Sequence, residues 1–304
     1  MLFRCNPLQD ARTMFRFRSL LIALLIAATT ACAASDAEDA AMDESGAALP
    51  GPRVALNPTA SGQLPSAIIG EAGDPQGEDL GYLEGDAATM GYLAVPEGDG
   101  PFPALVIIHE WNGLVDRVRQ VADNFAAEGY VTLAADLYQG RTGSNSDENI
   151  ALMQEAMANL PVAVANLNAA VAYLKARPDV TGRVGAMGWC FGGGIALSFG
   201  LDGEHHNATA IFYGRLIEDP EVLAQMDHEV YGTFAENDGG IPPEQVRSFE
   251  AALRTAGIEN DLHIYDDVMH GFWLRVDGNP ELRTGPALDA WQRLKAYLDR
   301  SLSD

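Results

Sequence analysis

Cys190, Asp238 and His270 are residue types that together can run a nucleophilic displacement. A thiol attacks as its thiolate, so it needs a base to take the proton, and an imidazole serves best when a carboxylate fixes its tautomer. Cys190 stands in "GWCFG", residues 188 to 192, with a glycine two positions away on either side. That spacing is the G-x-S-x-G turn from a strand into a helix, with sulfur in place of oxygen. The turn tolerates only small neighbours, and the helix that follows points its N-terminus at the same atom, favouring negative charge there. The same residues admit a plainer reading, in which the glycines only let a helix pack closely on a strand and Cys190 is a small, inert, buried thiol.

Order along the chain favours the chemical reading. In folds with this turn the acid follows the nucleophile and the histidine comes last. Asp238 lies in "AENDGGIPP" after one apolar run, and His270 lies in "DDVMHGFW" after the next. Taken singly, Asp238 could cap a turn beside Gly239 and His270 could be an ordinary loop histidine. Three suitable residues in the required order, each just past the end of a strand, make coincidence the weaker explanation. Glu236, Asp266 and Asp267 are less well placed for the acid and read as solvated or capping residues.

The elements that must hold these groups are legible from about Leu80 onward. Short β-branched runs alternate with longer amphipathic stretches, the pattern of a mostly parallel sheet flanked by helices on both faces, an α/β fold. "LGYLEGD" and "ATMGYLAVPE" read as an antiparallel pair turning at Gly85-Asp86, and "PALVIIHE" reads as a central strand. "YVTLAADLY", "RVGAMGWC", "ATAIFYG", "EVYGTFAEND" and "NDLHIYDD" read as further strands. Helices are expected over "VDRVRQVADNFAAEG", over residues 146 to 176 as two pieces broken by Pro161, over "GGGIALSFG" and "PEQVRSFEAALRTAG", and over the closing "PALDAWQRLKAYLDRSL". Functional loops of such a sheet gather at the C-terminal ends of its strands. Residues 53 to 79, rich in glycine and proline, form a lead-in without clear signal.

"HEWNG", "GWCFGGG", "END" followed by "IPP", and "HGF" together resemble the dienelactone hydrolase family of α/β-hydrolases, over about residues 80 to 300. The resemblance implies an α/β-hydrolase fold, with Cys190 as nucleophile, His270 as base and Asp238 as its orienting acid. It also implies that Glu110 governs the thiol. A carboxylate near a thiolate disfavours the charged sulfur, so Glu110 should restrain the nucleophile, or else be a capping or salt-bridge residue at a strand end. Backbone N–H groups of Phe191 and Trp111 should form the oxyanion hole. Trp111 and Trp273 are candidates for an apolar pocket wall or for core packing. Family members that cleave dienelactones hold the substrate carboxylate with two arginines. Arg141 and Arg275 lie nearest that pattern, each displaced by one residue.

The expected activity is hydrolysis of a small activated ester or lactone through an acyl-thioester, without a cofactor. Acyl transfer at the same site, and ligand binding without catalysis on the same fold, remain alternatives. No metal site is expected: Glu204, His205 and His206 lack zinc-ligand spacing and read as a solvated loop. His109 reads as structural or pocket-lining, and His263 as a strand residue. No phosphate loop or dinucleotide fingerprint is present.

The first 31 residues carry Arg12, Arg16 and Arg18 before "LLIALLIAA" and the small residues of "TTACAAS", a secretion signal too short to be a lasting membrane span. Cys32 stands where a lipoprotein signal places its lipidated cysteine, with cleavage after Ala33 as the alternative, and Met14 is a second possible start. Residues 32 to 52 read as a flexible acidic linker, and 53 to 304 as one domain. The expectation is a bacterial envelope protein, periplasmic and lipid-anchored, of open oligomeric state. The formal charge of −24 becomes about −27 once the signal's four arginines and one aspartate are gone, which excludes nucleic acid as a ligand. Without the signal and Cys32, Cys190 is the sole thiol, so no internal disulfide can form.

Overall fold

The computed structural model of the chain describes residues 51 to 203 and 206 to 303; the expected signal and Cys32 lie outside them. Eight strands form one sheet: β1 (Glu78–Leu80), β2 (Gly91–Ala94), β3 (Phe102–Ile108), β4 (Val131–Ala135), β5 (Val180–Trp189), β6 (Ala208–Phe212), β7 (Val230–Ala235) and β8 (Asn260–Tyr265). Their spatial order is β1-β2-β4-β3-β5-β6-β7-β8. The first two strands pair antiparallel at one edge, and every pair from β4 to β8 is parallel. The C-terminal ends of β3, β5, β7 and β8 therefore open on the same edge of the sheet, where Glu110, Cys190, Asp238 and His270 follow them.

Helices α1 (Asp116–Ala127) and α7 (Pro280–Leu302) cover one face, and α3 (Leu160–Ala176), α4 (Phe191–Asp202) and α6 (Pro243–Ala256) the other. The two-residue period of a strand explains how a continuous apolar run feeds both layers. In β3, Leu105 and Ile107 point to the layer with Phe125 and Trp291, while Ala104, Val106 and Ile108 point to the layer with Leu167 and Ile195. Among the described residues no single helix is long and apolar enough to cross a membrane.

Several boundaries differ from the sequence reading. β1 is Glu78–Leu80, upstream of most of "LGYLEGD", so residues 81 to 90 connect the antiparallel pair as irregular backbone. The helical stretch at 146 to 176 breaks at Asn159 instead of Pro161, giving α2 (Ser146–Ala158) and α3 at an angle of 85°. Pro161 sits in the first turn of α3, where a missing N–H costs nothing. The closing helix begins at Pro280, six residues before Pro286, with the Asn279 side chain accepting the Leu282 N–H as its cap. Pro286 is accommodated because Gly285 before it has no Cβ to meet the proline ring in a helical backbone. The short α5 (Pro220–Leu223), capped by the Asp219 side chain with Pro220 in its first turn, was not among the expected helices.

The lead-in is tied down rather than loose. Val54 donates to Val95 O at 2.8 Å, and Ala67 and Ile68 are buried against the layer of α1 and α7. The expectation of a solvated loop fails at His206, which is buried, stacks on Phe199 with ring centroids 4.4 Å apart, and lies 3.1 Å from Thr209 Oγ1. Burial, then the neighbouring His228, pushes its pKa down to about 3, so it is a neutral core residue.

Candidate active site

Cys190 is the turn between β5 and α4, at φ 56° and ψ −117°. A side chain rarely adopts that backbone, and holding it there costs on the order of 1–3 kcal/mol. The surroundings enforce it: Cys190 N–H donates to Phe212 O at 3.0 Å, and Cys190 O accepts from Gly194 N at 3.2 Å, the first bond of α4. The flanking glycines are required by closeness. A Cβ on Gly188 would lie 2.4 Å from Gly192 O, and one on Gly192 would lie 2.3 Å from Ile108 O. The amide of Phe191, first in α4, has no acceptor inside its own helix, and Phe191 lines the cavity at Cys190.

Asp238 follows β7 with its side chain buried, and its Oδ2 lies 2.6 Å from His270 Nδ1. Its other oxygen accepts the N–H groups of Gly240 and Ile241 at 2.8 and 3.1 Å. Burial works against this carboxylate's charge, but the imidazole and the two amides outweigh it and hold the pKa below the usual range. His270, on the loop after β8, is bonded to Asp238 and lines the same cavity as Cys190. With Nδ1 taken by Asp238, Nε2 is the nitrogen left for sulfur. Burial opposes its charge, yet Asp238 and Cys190 push its pKa up to about 10.

The sign of that shift has a measurable result. The free imidazole titrates near 6.5, so between about pH 6.5 and pH 10 the folded chain holds a proton that the unfolded chain has released. The stabilisation is complete below pH 6.5 and is lost as pH rises through about 10. Asp238→Asn removes the main support of the charged ring. We expect the His270 titration, followed by NMR of the imidazole, to fall by about one unit or more toward 6.5; an unmoved titration would mean that Asp238 does not hold the imidazolium.

Glu110, after β3, is buried and meets Arg275 Nη2 at 3.1 Å. The pair lines a cleft beside the cavity that holds Cys190. Tyr213, with φ 39°, is buried and lines the cavity at Cys190, its ring 4.9 Å from that of His270. Burial first, and then the charges of Glu110 and Cys190, push its pKa well up, so it is a neutral phenol. Tyr213 was not singled out from sequence, because its place over the site depends on how the chain leaves β6.

Arg141 lies elsewhere. Its guanidinium is bound by Glu155 at 2.8 and 2.9 Å, and it lines a separate cavity with Asp136 and Asn166. Trp273 is a core residue, stacked on Trp189 with centroids 5.7 Å apart, and Trp111 is half-buried with its carbonyl accepting from Tyr138 Oη at 3.2 Å. His109 is buried and neutral, with Nδ1 2.6 Å from Glu110 O and Nε2 accepting from Leu137 N. His263 sits in β8 beside Arg293 and Tyr265. Glu236 accepts the Asp267 N–H at 3.1 Å, a capping role. Among the described residues no group of three or more His, Cys, Asp or Glu is placed to hold a metal.

The cavity at Cys190 measures about 500 Å³, within the range of small-molecule sites. Met153, Met157 and Leu160 from α2 and the start of α3 form one wall, and Leu216, Ile217 and Ile241 another. An apolar chamber that holds a thiol beside a hydrogen-bonded imidazole and carboxylate suits a displacement at an uncharged carbonyl.

Comparison with known proteins agrees with this arrangement. A protein of Methylorubrum extorquens bearing the provisional name carboxymethylenebutenolidase is 29% identical over 225 residues, which are 70% of this chain and 77% of that one. A Synechocystis protein with the same provisional name is 30% identical over 239 residues, 70% of this chain and 92% of its own length. The crystal structure of a dienelactone hydrolase-like promiscuous phosphotriesterase from metagenomic libraries superposes with a TM-score of 0.66 at 22% identity, over 74% of this chain and 98% of that one, a likeness of fold. The model of the dienelactone hydrolase family matches residues 89 to 302, and with the α/β-hydrolase sheet in place this chain belongs to that family of hydrolases.

Proposed function

We propose that the protein hydrolyses a small carboxylic ester or lactone through Cys190. The observation that carries this reading is the Asp238–His270 contact of 2.6 Å at the cavity that also holds Cys190, a thiol on a strained strand-to-helix turn. Sulfur attacks the acyl carbon, the C–O bond breaks, and the imidazolium gives its proton to the departing oxygen. Water, deprotonated by His270, then attacks the thioester and expels the thiolate. The N–H groups of Phe191 and Trp111 would receive the oxyanion of each tetrahedral intermediate. Because a thiolate leaves more readily than an alkoxide, attack on unactivated esters tends to revert, which favours activated aryl or enol esters and lactones. Glu110 is the group that would restrain the thiolate by like charge, and the ion pair with Arg275 offsets that restraint at rest.

The N-terminal segment would direct export, with Cys32 the point of lipid attachment. The decisive test of the chemistry is intact-protein mass spectrometry during turnover of activated aryl esters and enol lactones. We expect an acyl adduct on the Cys190 peptide that decays at the rate of steady-state turnover; a folded protein with neither adduct nor turnover would overturn the reading.

A further inference from the structure

We propose that Arg117 and the lead-in at residues 67 to 70 form a clamp that positions Arg275 on Glu110, so that a segment ahead of the sheet takes part in controlling the site. Its consequence for catalysis rests on the hydrolase reading above.

The match to the family model begins at residue 89, and the lead-in lies upstream of it. It nevertheless reaches the segment after β8 that carries His270 and Arg275. Arg117, in the first turn of α1, donates through Nη1 to Ala67 O at 2.6 Å and to Leu274 O at 3.1 Å, while its Nη2 meets Asp277 Oδ2 at 3.3 Å. Val276 N–H donates to Ile68 O at 3.3 Å. Gly70 lies so close that a Cβ there would stand 2.8 Å from Asp277 Oδ2.

These bonds fall on the residues either side of Arg275. Leu274 and Val276 are buried, and the carbonyl of Arg275 between them accepts from Arg283 Nη1 at 2.6 Å. The backbone is thus held at three successive residues, and Arg275 faces the cleft that Glu110, Arg117 and Arg283 also line. This support matters because the Arg275 side chain is 54% exposed. An arginine in that setting gives up rotamer entropy to hold one carboxylate, and such pairs are weak by themselves. Fixing the point from which the side chain starts lowers that cost.

The charged groups that interact with Cys190 include His270 and Arg275, with Glu110 paired to Arg275, and Tyr138 and Tyr213 face it as neutral phenols. Loosening the clamp would withdraw the arginine's positive charge and leave Glu110 without its counter-ion. Both changes disfavour a thiolate. Arg117 and Arg283 are therefore positioning residues, acting through Arg275.

Alkylation by iodoacetamide, followed on the Cys190 peptide by mass spectrometry, reads the thiolate without any substrate. At about pH 7, Arg117→Gln should slow it about fivefold, with part of the rate restored in Arg117→Lys. In a Glu110→Gln background the same Arg117→Gln change should leave the rate within about twofold, because no carboxylate remains for Arg275 to be held on. An unchanged rate in Arg117→Gln would overturn the proposal. So would an equal loss in the Glu110→Gln background, which would mark a displaced His270 loop and not a misplaced Arg275. Arg283→Gln removes the bond to Arg275 O from the other side and carries the same comparison if Arg117→Gln does not fold. A chain that turns over no ester would sink the hydrolase reading while leaving this comparison intact.

Discussion

Cys190→Ala should reduce turnover of an activated ester by roughly 10,000-fold or more while leaving the protein folded. The substitution removes the atom that forms the acyl bond but keeps the apolar cavity, the Asp238–His270 pair and the N-terminal amides of α4. Members of a nucleophile, base and acid set act as one unit, so loss of the nucleophile alone removes nearly all they contribute, and the residue left reflects binding and oxyanion donors. The strained turn supplies an independent check. Alanine must still adopt φ 56° at position 190, whereas glycine does so without penalty. Cys190→Gly should therefore be as inactive as the alanine variant yet more stable than it, by about 1 kcal/mol in urea denaturation. Equal stability of the two would mean that the turn stores no strain. A parent protein without turnover, unaffected by either change, would favour a binding protein that kept the fold.

The parts of this architecture legible in sequence are those set by local rules. β3 and β5 are apolar runs because both faces of a central parallel strand are covered, and such runs stand out by length alone. Cys190, Asp238 and His270 could be paired across the sequence because parallel strands deliver their C-terminal ends to one edge. What the sequence withheld depends on contacts between distant segments. Glu110 and Arg275 meet across 165 positions, and nothing in "HEWNG" or "HGFWLR" says that one is the other's counter-ion. Tyr213 and Arg215 enter the site because the chain after β6 crosses the glycines of α4 at backbone contact, a packing that spacing does not encode. His206 sits in a polar stretch, yet Phe199 and Thr209 draw it into the core. The break at Asn159 and the early start of α7 show a proline being tolerated in a first turn or behind a glycine, where composition suggests a stop.

Gly192→Ala should destabilise the fold by about 3 kcal/mol or more, among the largest single-site effects in the chain. The added methyl would stand 2.3 Å from Ile108 O and 2.4 Å from His109 O, and both are backbone atoms at the end of β3. A flexible side chain could swing aside; a carbonyl in a central strand, bonded on both edges, cannot without breaking the ladder to β4 and β5. Relief must come from lifting the first turn of α4, which also moves Cys190 and the Phe191 amide away from His270. Activity should then fall even at temperatures where the variant is folded. Gly73→Ala is the matched control: a Cβ there meets nothing within 4 Å and the backbone is not left-handed, so its stability should stay within about 0.5 kcal/mol of the parent. Urea midpoints for both variants, with adduct formation at Cys190 followed in parallel, would separate lost stability from a displaced nucleophile. If Gly192→Ala matched the control in both, α4 would have to sit farther from β3 than the close approach described above, and the argument that this glycine shapes the turn would fail with it.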